Sequence, residues 1–177
     1  MPDENRLQHR SHFKGKTMRN LAALAAIGAL CAFGAHQAGS SEPTIVGTWK
    51  LVSFQSIADN EPAKNALGAD PKGYMIVTSG GRVMVQMTSS SRKAGVEDAE
   101  RAALHKSMVS YSGKYRAEGD LFITTIDVSW NAAWNGTEQK RHYRFEGDKL
   151  MIDTIRQPSV VSPGKMAIGR LVWERDK

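Results

Sequence analysis

The chain of 177 residues predicts an all-β fold, an eight-stranded antiparallel up-and-down β-barrel with one short helix. Segments with the two-residue alternation of β-strands recur along the sequence. Glycine-containing turns separate them, and a single helical pattern interrupts them. The first and last of these segments each carry a tryptophan. If those two strands pair, the sheet closes and no strand edge stays exposed.

The first strand is predicted at residues 45–54, where the sequence IVGTWKLVSF begins with Gly47 and Trp49. Successive side chains of a strand point to alternate sides, so Trp49 lies near the start of one face of this strand, with Leu51 next on the same face. The last strand carries Trp173 and Arg175, and an arginine guanidinium can stack on an indole ring. We therefore predict structural roles for these four residues, at the point where the first strand meets the last.

The elements between these two strands follow from periodicity and turn residues. A hairpin is predicted at residues 73–78 and 82–87, because the glycines between them permit positive φ. A helix is predicted at 96–109, where Ala and Leu recur at helical spacing. The remaining strands are predicted at residues 111–118, 121–130, 138–145, 149–155 and 168–173, and long loops at 56–71 and 157–166.

Residues 1–39 have the composition of an N-terminal signal peptide or leader. An apolar run of 15 residues at 21–35 follows basic residues and precedes small and polar ones. This run is shorter than the roughly 20 residues of a comfortable membrane span, so no stable span is expected after cleavage. Translation from Met18 would give a compact leader. We expect residues 40–177 to form the barrel domain in a periplasmic or secreted protein; an uncleaved anchor and a lipoprotein at Cys31 are the alternatives.

Charge and cysteine content exclude several classes of protein. The formal net charge is +6, but residues 1–39 hold five Lys or Arg against two Asp or Glu, and the rest of the chain holds 19 against 16. That balance is ordinary for a globular domain, so no nucleic-acid partner is predicted. Cys31 is the only cysteine, and no disulfide is expected in the barrel. His105 and His142 lack metal-ligand spacing, and no cofactor fingerprint occurs.

The candidate binding residues lie on the strand predicted at 138–145. Its exposed face is highly charged, so Gln139, Arg141, Tyr143 and Phe145 are predicted to face inward. A buried guanidinium without a partner is costly. We therefore predict that Arg141 pairs with Asp127 on the preceding strand, with residue 127 opposite residue 141.

A register shifted by one residue is the alternative for this hairpin, because such a shift exchanges the two faces of a strand. It would place Asp127 outside the barrel and turn inward a set of large apolar side chains, namely Phe122, Ile126, Val128 and Trp130. The loop after this strand contains Trp134. Trp130 and Trp134 either line the mouth of the barrel or attach the loop to it. Tyr74, Met87 and Tyr115 are predicted as walls of the cavity, with core packing as the alternative.

Five segments together resemble the bacterial and fungal lipocalin-like domain family: IVGTWKLVSF, LGADPKGYMIVTSGGRV, YSGKYR, WNGTEQKRHYRFEGDKL and LVWER. The resemblance covers residues 45–176, and the order and spacing of the segments agree with it. It implies a closed barrel whose first-strand tryptophan plugs one end, and it implies little about activity.

Three functions are compatible with these patterns. The first is an exported protein that binds a small hydrophobic or amphipathic molecule between Arg141 and an apolar floor. The second is a cofactor-independent isomerase or cyclase acting on a polyketide-like or fatty substrate. In that enzyme Asp127 would act as the base, and Arg141 or Tyr143 would stabilise an enolate. The third is a filled barrel with a structural or interaction role. The oligomeric state is left open.

Overall fold

The computed structural model describes residues 44–159, 162 and 164–177. It is a closed eight-stranded antiparallel barrel with one short helix, which confirms the predicted fold class. The leader predicted at residues 1–39 lies outside the described residues. Among the helices of the described ranges, none is long and apolar enough to cross a membrane.

The elements follow the predicted order. The strands are β1 (Gly47–Ala58), β2 (Lys64–Asn65), β3 (Lys72–Val77), β4 (Arg82–Thr88), β5 (Met108–Glu118), β6 (Leu121–Ser129), β7 (Glu138–Glu146), β8 (Lys149–Thr154), β9 (Gln157–Pro158) and β10 (Met166–Arg175). Helix α1 (Asp98–Lys106) precedes β5, and a 3₁₀ turn (Ala132–Trp134) precedes β7. β2 and β9 have two residues each and extend the pairing of β1 and β10.

The sheet closes because β1 pairs with both β3 and β10. Trp49 lies opposite Arg175, and Leu51 lies opposite Trp173. A bulge follows Leu51 and shifts the alternation by one residue, so Phe54 rather than Ser53 faces inward. The predicted pairing of the first and last strands is therefore confirmed.

The two ends of the barrel differ because strand direction alternates around it. Three tight turns, at 78–81, 119–120 and 147–148, lie at one end, which we call the closed end. The four longer connections, which join β1 to β3, β4 to β5, β6 to β7 and β8 to β10, start and finish at the other end, which we call the loop end. Their described residues include β2, α1, the 3₁₀ turn and β9.

The core is built from the inward positions of all eight long strands. Its buried apolar side chains include Leu51, Met75, Val77, Val83, Val85, Met87, Tyr111, Phe122, Ile126, Leu150, Ile152 and Leu171. Met87, predicted as a cavity wall, is a fully packed member of this core.

Trp49 plugs the closed end. Its indole is 1% exposed, and its Nε1 donates a hydrogen bond to the carbonyl oxygen of Ile45 at 2.8 Å. The guanidinium carbon of Arg175 lies 4.0 Å from the centre of the Trp49 ring, as predicted for a cation stacked on an indole. Gly47 has φ of 140°, and a Cβ at this position would lie 1.9 Å from Nη1 of Arg175. Only glycine fits here without displacing the guanidinium.

Helix α1 lies at the loop end and has no buried residue. It begins with a capping box, in which the Glu100 carboxylate accepts hydrogen bonds from the backbone N–H groups of Val96 and Glu97. These bonds lower the pKa of Glu100. The helix is thus shaped by local contacts rather than by burial of an apolar face.

Candidate functional site

The register between β6 and β7 decides which residues share the barrel interior. Phe122 lies opposite Arg141, and Thr124 lies opposite Gln139. The predicted pairing of residue 127 with 141 is therefore wrong. The alternative register is also wrong in its pairing, but Phe122 and Ile126 face inward and Asp127 outward as it predicted, whereas Val128 is exposed. Pairing stops at Thr125 because the backbone of Ile126 bonds to Thr137 and Gly136 and closes the connection into a compact loop.

Asp127 points out of the barrel and does not pair with Arg141. Its carboxylate forms an ion pair with Arg82 of β4 on the outer surface. β6 has a bulge at this residue, with Ile126 opposite Gly113 and Val128 opposite Ser112. The bulge also explains why Val128 is exposed although Ile126 is buried.

The inward face of β7 agrees with its prediction. Arg141 is only 8% exposed, and Tyr143 and Phe145 pack against the core. The intervening residues Glu138, Lys140, His142 and Arg144 are exposed. Alternation alone therefore identified the side chains that face the interior.

Arg141 is held inside the barrel without an opposite charge from any described residue. Its guanidinium carbon lies 5.4 Å from the centre of the Tyr111 ring, within the range of a cation–π contact. Its Nη1 is buried and has no hydrogen-bond partner among the described residues. Buried donors of folded proteins nearly always have partners. This position is therefore suited to an anionic group or another strong acceptor.

Thr124 is the second polar side chain at this place. Its Oγ1 is buried and also lacks a hydrogen-bond partner among the described residues. Thr124 lies two positions along β6 from Phe122, which faces Arg141, so Thr124 and Arg141 are diagonal neighbours on the inner wall. Two unsatisfied groups on adjacent strands give this part of the inner wall polar character. Thr124 was not predicted from the sequence, because only the true register reveals that it lies beside Arg141.

A chain of aromatic contacts covers the interior on the loop-end side of Arg141. Tyr111 contacts Trp134 edge to face with ring centres 5.8 Å apart, and Trp134 contacts Trp130 at 4.7 Å. His105 of α1 then contacts Trp130, with its Nε2 at 3.0 Å from the Trp130 carbonyl oxygen. These contacts favour the second of the two predicted roles of Trp130 and Trp134, which is to attach the loop and the helix to the barrel rather than to line its mouth.

The barrel wall opens between β7 and the end of β8. The last pair of these strands is Arg141 with Thr154, so residues 138–140 have no partner on β8. A cleft of about 230 Å³ occupies this place, and we call it the lateral cleft. Its lining includes Gln139, Lys140, Arg141, Thr154, Ile155 and Arg156.

Charges around the lateral cleft are unevenly compensated. Glu138 accepts hydrogen bonds from Arg116, which lowers the pKa of the Glu138 carboxyl. Arg156 forms an ion pair with Asp59. Lys140 forms no ion pair with a described residue, and neither does Arg141. The cleft therefore presents excess positive charge, with Arg141 at its inner end.

Two predicted wall residues, Tyr115 and Tyr74, and the predicted binding residue Tyr143 lie in different environments. Tyr115 is inward and half-buried, stacks on Phe122 at 5.2 Å, and donates a hydrogen bond to the Thr78 carbonyl oxygen at the closed end. Tyr143 contacts Phe145 at 6.2 Å. Tyr74 is 49% exposed and points outward, so its prediction as a wall is wrong. On β3 the inward positions belong to its neighbours Gly73 and Met75.

The part of the chain that the structure describes contains no cluster of side chains typical of a metal site. No three His, Cys, Asp or Glu side chains gather there at distances suited to a metal ion.

The chain matches a family model described as a lipocalin-like domain over residues 46–176. No curated protein matches the chain.

Proposed function

Because the chain belongs to the lipocalin-like domain family, we propose that it binds a small amphipathic molecule in its barrel, with the acidic group of that molecule on Arg141. The ligand's apolar part would lie against the inward side chains near Arg141, among them Phe122 and Tyr143. Small-molecule sites typically combine such apolar walls with a few polar groups that fix orientation.

The observation that carries this proposal is the buried, unpaired guanidinium of Arg141. Burying a cation without an opposite charge costs free energy, and most folded proteins avoid it. A carboxylate that reaches Arg141 would accept the hydrogen bond that Nη1 lacks. Charge-assisted hydrogen bonds of this kind are roughly twice as strong as neutral ones.

The alternative function as an isomerase or cyclase loses its proposed base. Asp127 lies on the outer surface with Arg82, and no interior position of β6 brings a carboxylate to Arg141. The binding function needs no general base, and for that reason it is the function we favour.

The experiment compares two ligands of equal chain length, dodecanoic acid and 1-dodecanol. Each displaces the fluorescent neutral probe N-phenyl-1-naphthylamine from the full chain. Dodecanoate should bind about tenfold or more tightly than dodecanol, since a charged hydrogen bond contributes about 1.5–3 kcal/mol. Arg141→Met should remove this preference and leave the affinity for dodecanol nearly unchanged.

Arg144→Met is the matched control, because Arg144 lies on the same strand with its side chain outside. It should keep the preference for the acid. Equal affinities of the wild type for acid and alcohol would contradict the role of Arg141. Failure of the probe and both ligands to bind would instead indicate a filled barrel.

We extend the proposal to export of the protein. The support is the order of basic, apolar and small residues at 1–39. Intact mass measurement of protein from the periplasmic and extracellular fractions of its own host tests this. A mass that retains the apolar run at 21–35, in protein confined to the cytoplasm, would contradict it.

A further inference from the structure

We propose that ligands with one anionic end enter and leave through the lateral cleft, between the start of β7 and the end of β8, rather than past the aromatic rings of Trp130 and Trp134 beside helix α1. This inference rests on the proposed function, since it assigns the route and the ligand class to the same site.

The pairing of β7 and β8 supports a route through the wall. Arg141 and Thr154 form the last pair of these strands, and β9 then pairs with β10 instead. The cleft begins where this pairing ends, and Arg141 is one of the residues that line it. Arg141 is thus the buried residue through which the cleft adjoins the barrel interior.

The loop end offers a less direct route to the same guanidinium. Tyr111 lies against Arg141, Trp134 against Tyr111, and Trp130 against Trp134. Helix α1 holds the outermost of these rings through His105. Entry from that side would require several packed rings to separate, whereas the lateral cleft is open in the structure.

The charges at the rim favour an anion. Lys140 and Arg156 flank the cleft, and the one carboxylate in its lining, Glu138, is already bound by Arg116. Asp59 compensates Arg156, and Lys140, in addition to Arg116, helps to lower the pKa of Glu138 but forms no ion pair with a described residue. A cleft with excess charge of one sign raises the association rate of oppositely charged ligands.

The first experiment uses two probes with the same aromatic rings, anionic 1-anilinonaphthalene-8-sulfonate and neutral N-phenyl-1-naphthylamine. Stopped-flow fluorescence measures their association rates at low salt. Lys140→Glu should slow association of the anionic probe by about three- to tenfold and leave the neutral probe within about 1.5-fold. Lys93→Glu makes the same charge change beside α1 at the loop end, and it should slow neither probe.

The second experiment narrows each route with a bulky side chain. Ile155 lines the lateral cleft and is 47% exposed, whereas Val96 precedes α1 and is 74% exposed. Ile155→Trp should slow association and dissociation of the neutral probe by similar factors, about fivefold or more, because a narrower route leaves the equilibrium nearly unchanged. Val96→Trp should change neither rate.

The outcomes separate the route from the proposed function. Slower binding in the two variants beside α1, Lys93→Glu and Val96→Trp, with normal rates in the two cleft variants, would overturn the lateral route and leave ligand binding itself intact. Unchanged rates in all four variants would overturn it as well. If the wild type binds neither probe, the proposed function fails first.

Discussion

Replacing Arg141 by methionine should leave the free protein as stable as the wild type or stabilise it. The guanidinium is 8% exposed, and Nη1 has no partner among the described residues. A buried unsatisfied donor costs about 1–3 kcal/mol. The cation–π contact of Arg141 with Tyr111 offsets about 0.5–2 kcal/mol of this cost. Methionine keeps the unbranched stem that packs in the wall, so we expect a free energy of unfolding between about 0 and 2 kcal/mol higher.

Urea unfolding with and without dodecanoate measures the free energy of unfolding of each protein in its free and its ligand-bound form. A ligand at 100 times its dissociation constant stabilises a protein by about 2.7 kcal/mol. Loss of about 1.5–3 kcal/mol of binding free energy in Arg141→Met should remove most of that increment at the same dodecanoate concentration. Dodecanoate should therefore stabilise the wild type by about 1.4–2.4 kcal/mol more than it stabilises Arg141→Met.

Arg144→Met provides the contrast on the outer face. Arg144 pairs with Glu146 and Asp153, and its loss leaves Asp153 bound to Arg170. We expect a decrease of about 0–1 kcal/mol, with or without dodecanoate. A decrease larger than about 2 kcal/mol in ligand-free Arg141→Met would refute the reasoning, since it would mean that Arg141 supports the fold rather than the ligand.

Three further predictions concern other parts of the barrel. Gly47→Ala should lower the free energy of unfolding by about 1–3 kcal/mol in urea titrations, because the position combines positive φ with the closely packed Arg175; an unchanged midpoint would contradict this. Asp127→Asn should change dodecanoate affinity less than about twofold, because the ion pair of Asp127 with Arg82 is exposed on the outer surface. A large loss of affinity would show that Asp127 takes part in ligand binding. The Lys165 side chain lowers the pKa of Glu61 to about 2, so its stabilising contribution is complete above about pH 4.5 and lost as the pH falls toward 2. Glu61→Gln should therefore flatten the fall in stability over that range, and identical pH profiles would contradict the prediction.

The strands could be predicted from the sequence because alternation and turn glycines are local signals. β7 shows this most clearly, since its charged face and its inward face separate residue by residue. The end of β1 could not be predicted in this way, because its bulge and its last four residues depend on pairing with β10.

The register of β6 against β7 could not be predicted. It depends on how the connection at 130–137 folds, and two backbone hydrogen bonds of Ile126, to the Thr137 carbonyl oxygen and from the Gly136 N–H, determine that fold. The bulge at Asp127 adds a second shift, which needs Gly113 on the neighbouring strand; a Cβ there would lie 2.0 Å from the Thr125 carbonyl oxygen. The inward Arg141 was therefore predictable, and the inward Phe122 followed from the alternative register, whereas the place of Thr124 beside Arg141 was not predicted.

The meeting of β1 and β10 has a practical consequence for handling the protein. Gly47 and Arg175 both lie at the closed end, opposite the four long connections. An affinity tag or surface tether added after Lys177 would hold the barrel by its plugged base and keep the lateral cleft free. The fold is thus well suited to oriented immobilisation for binding measurements on a surface.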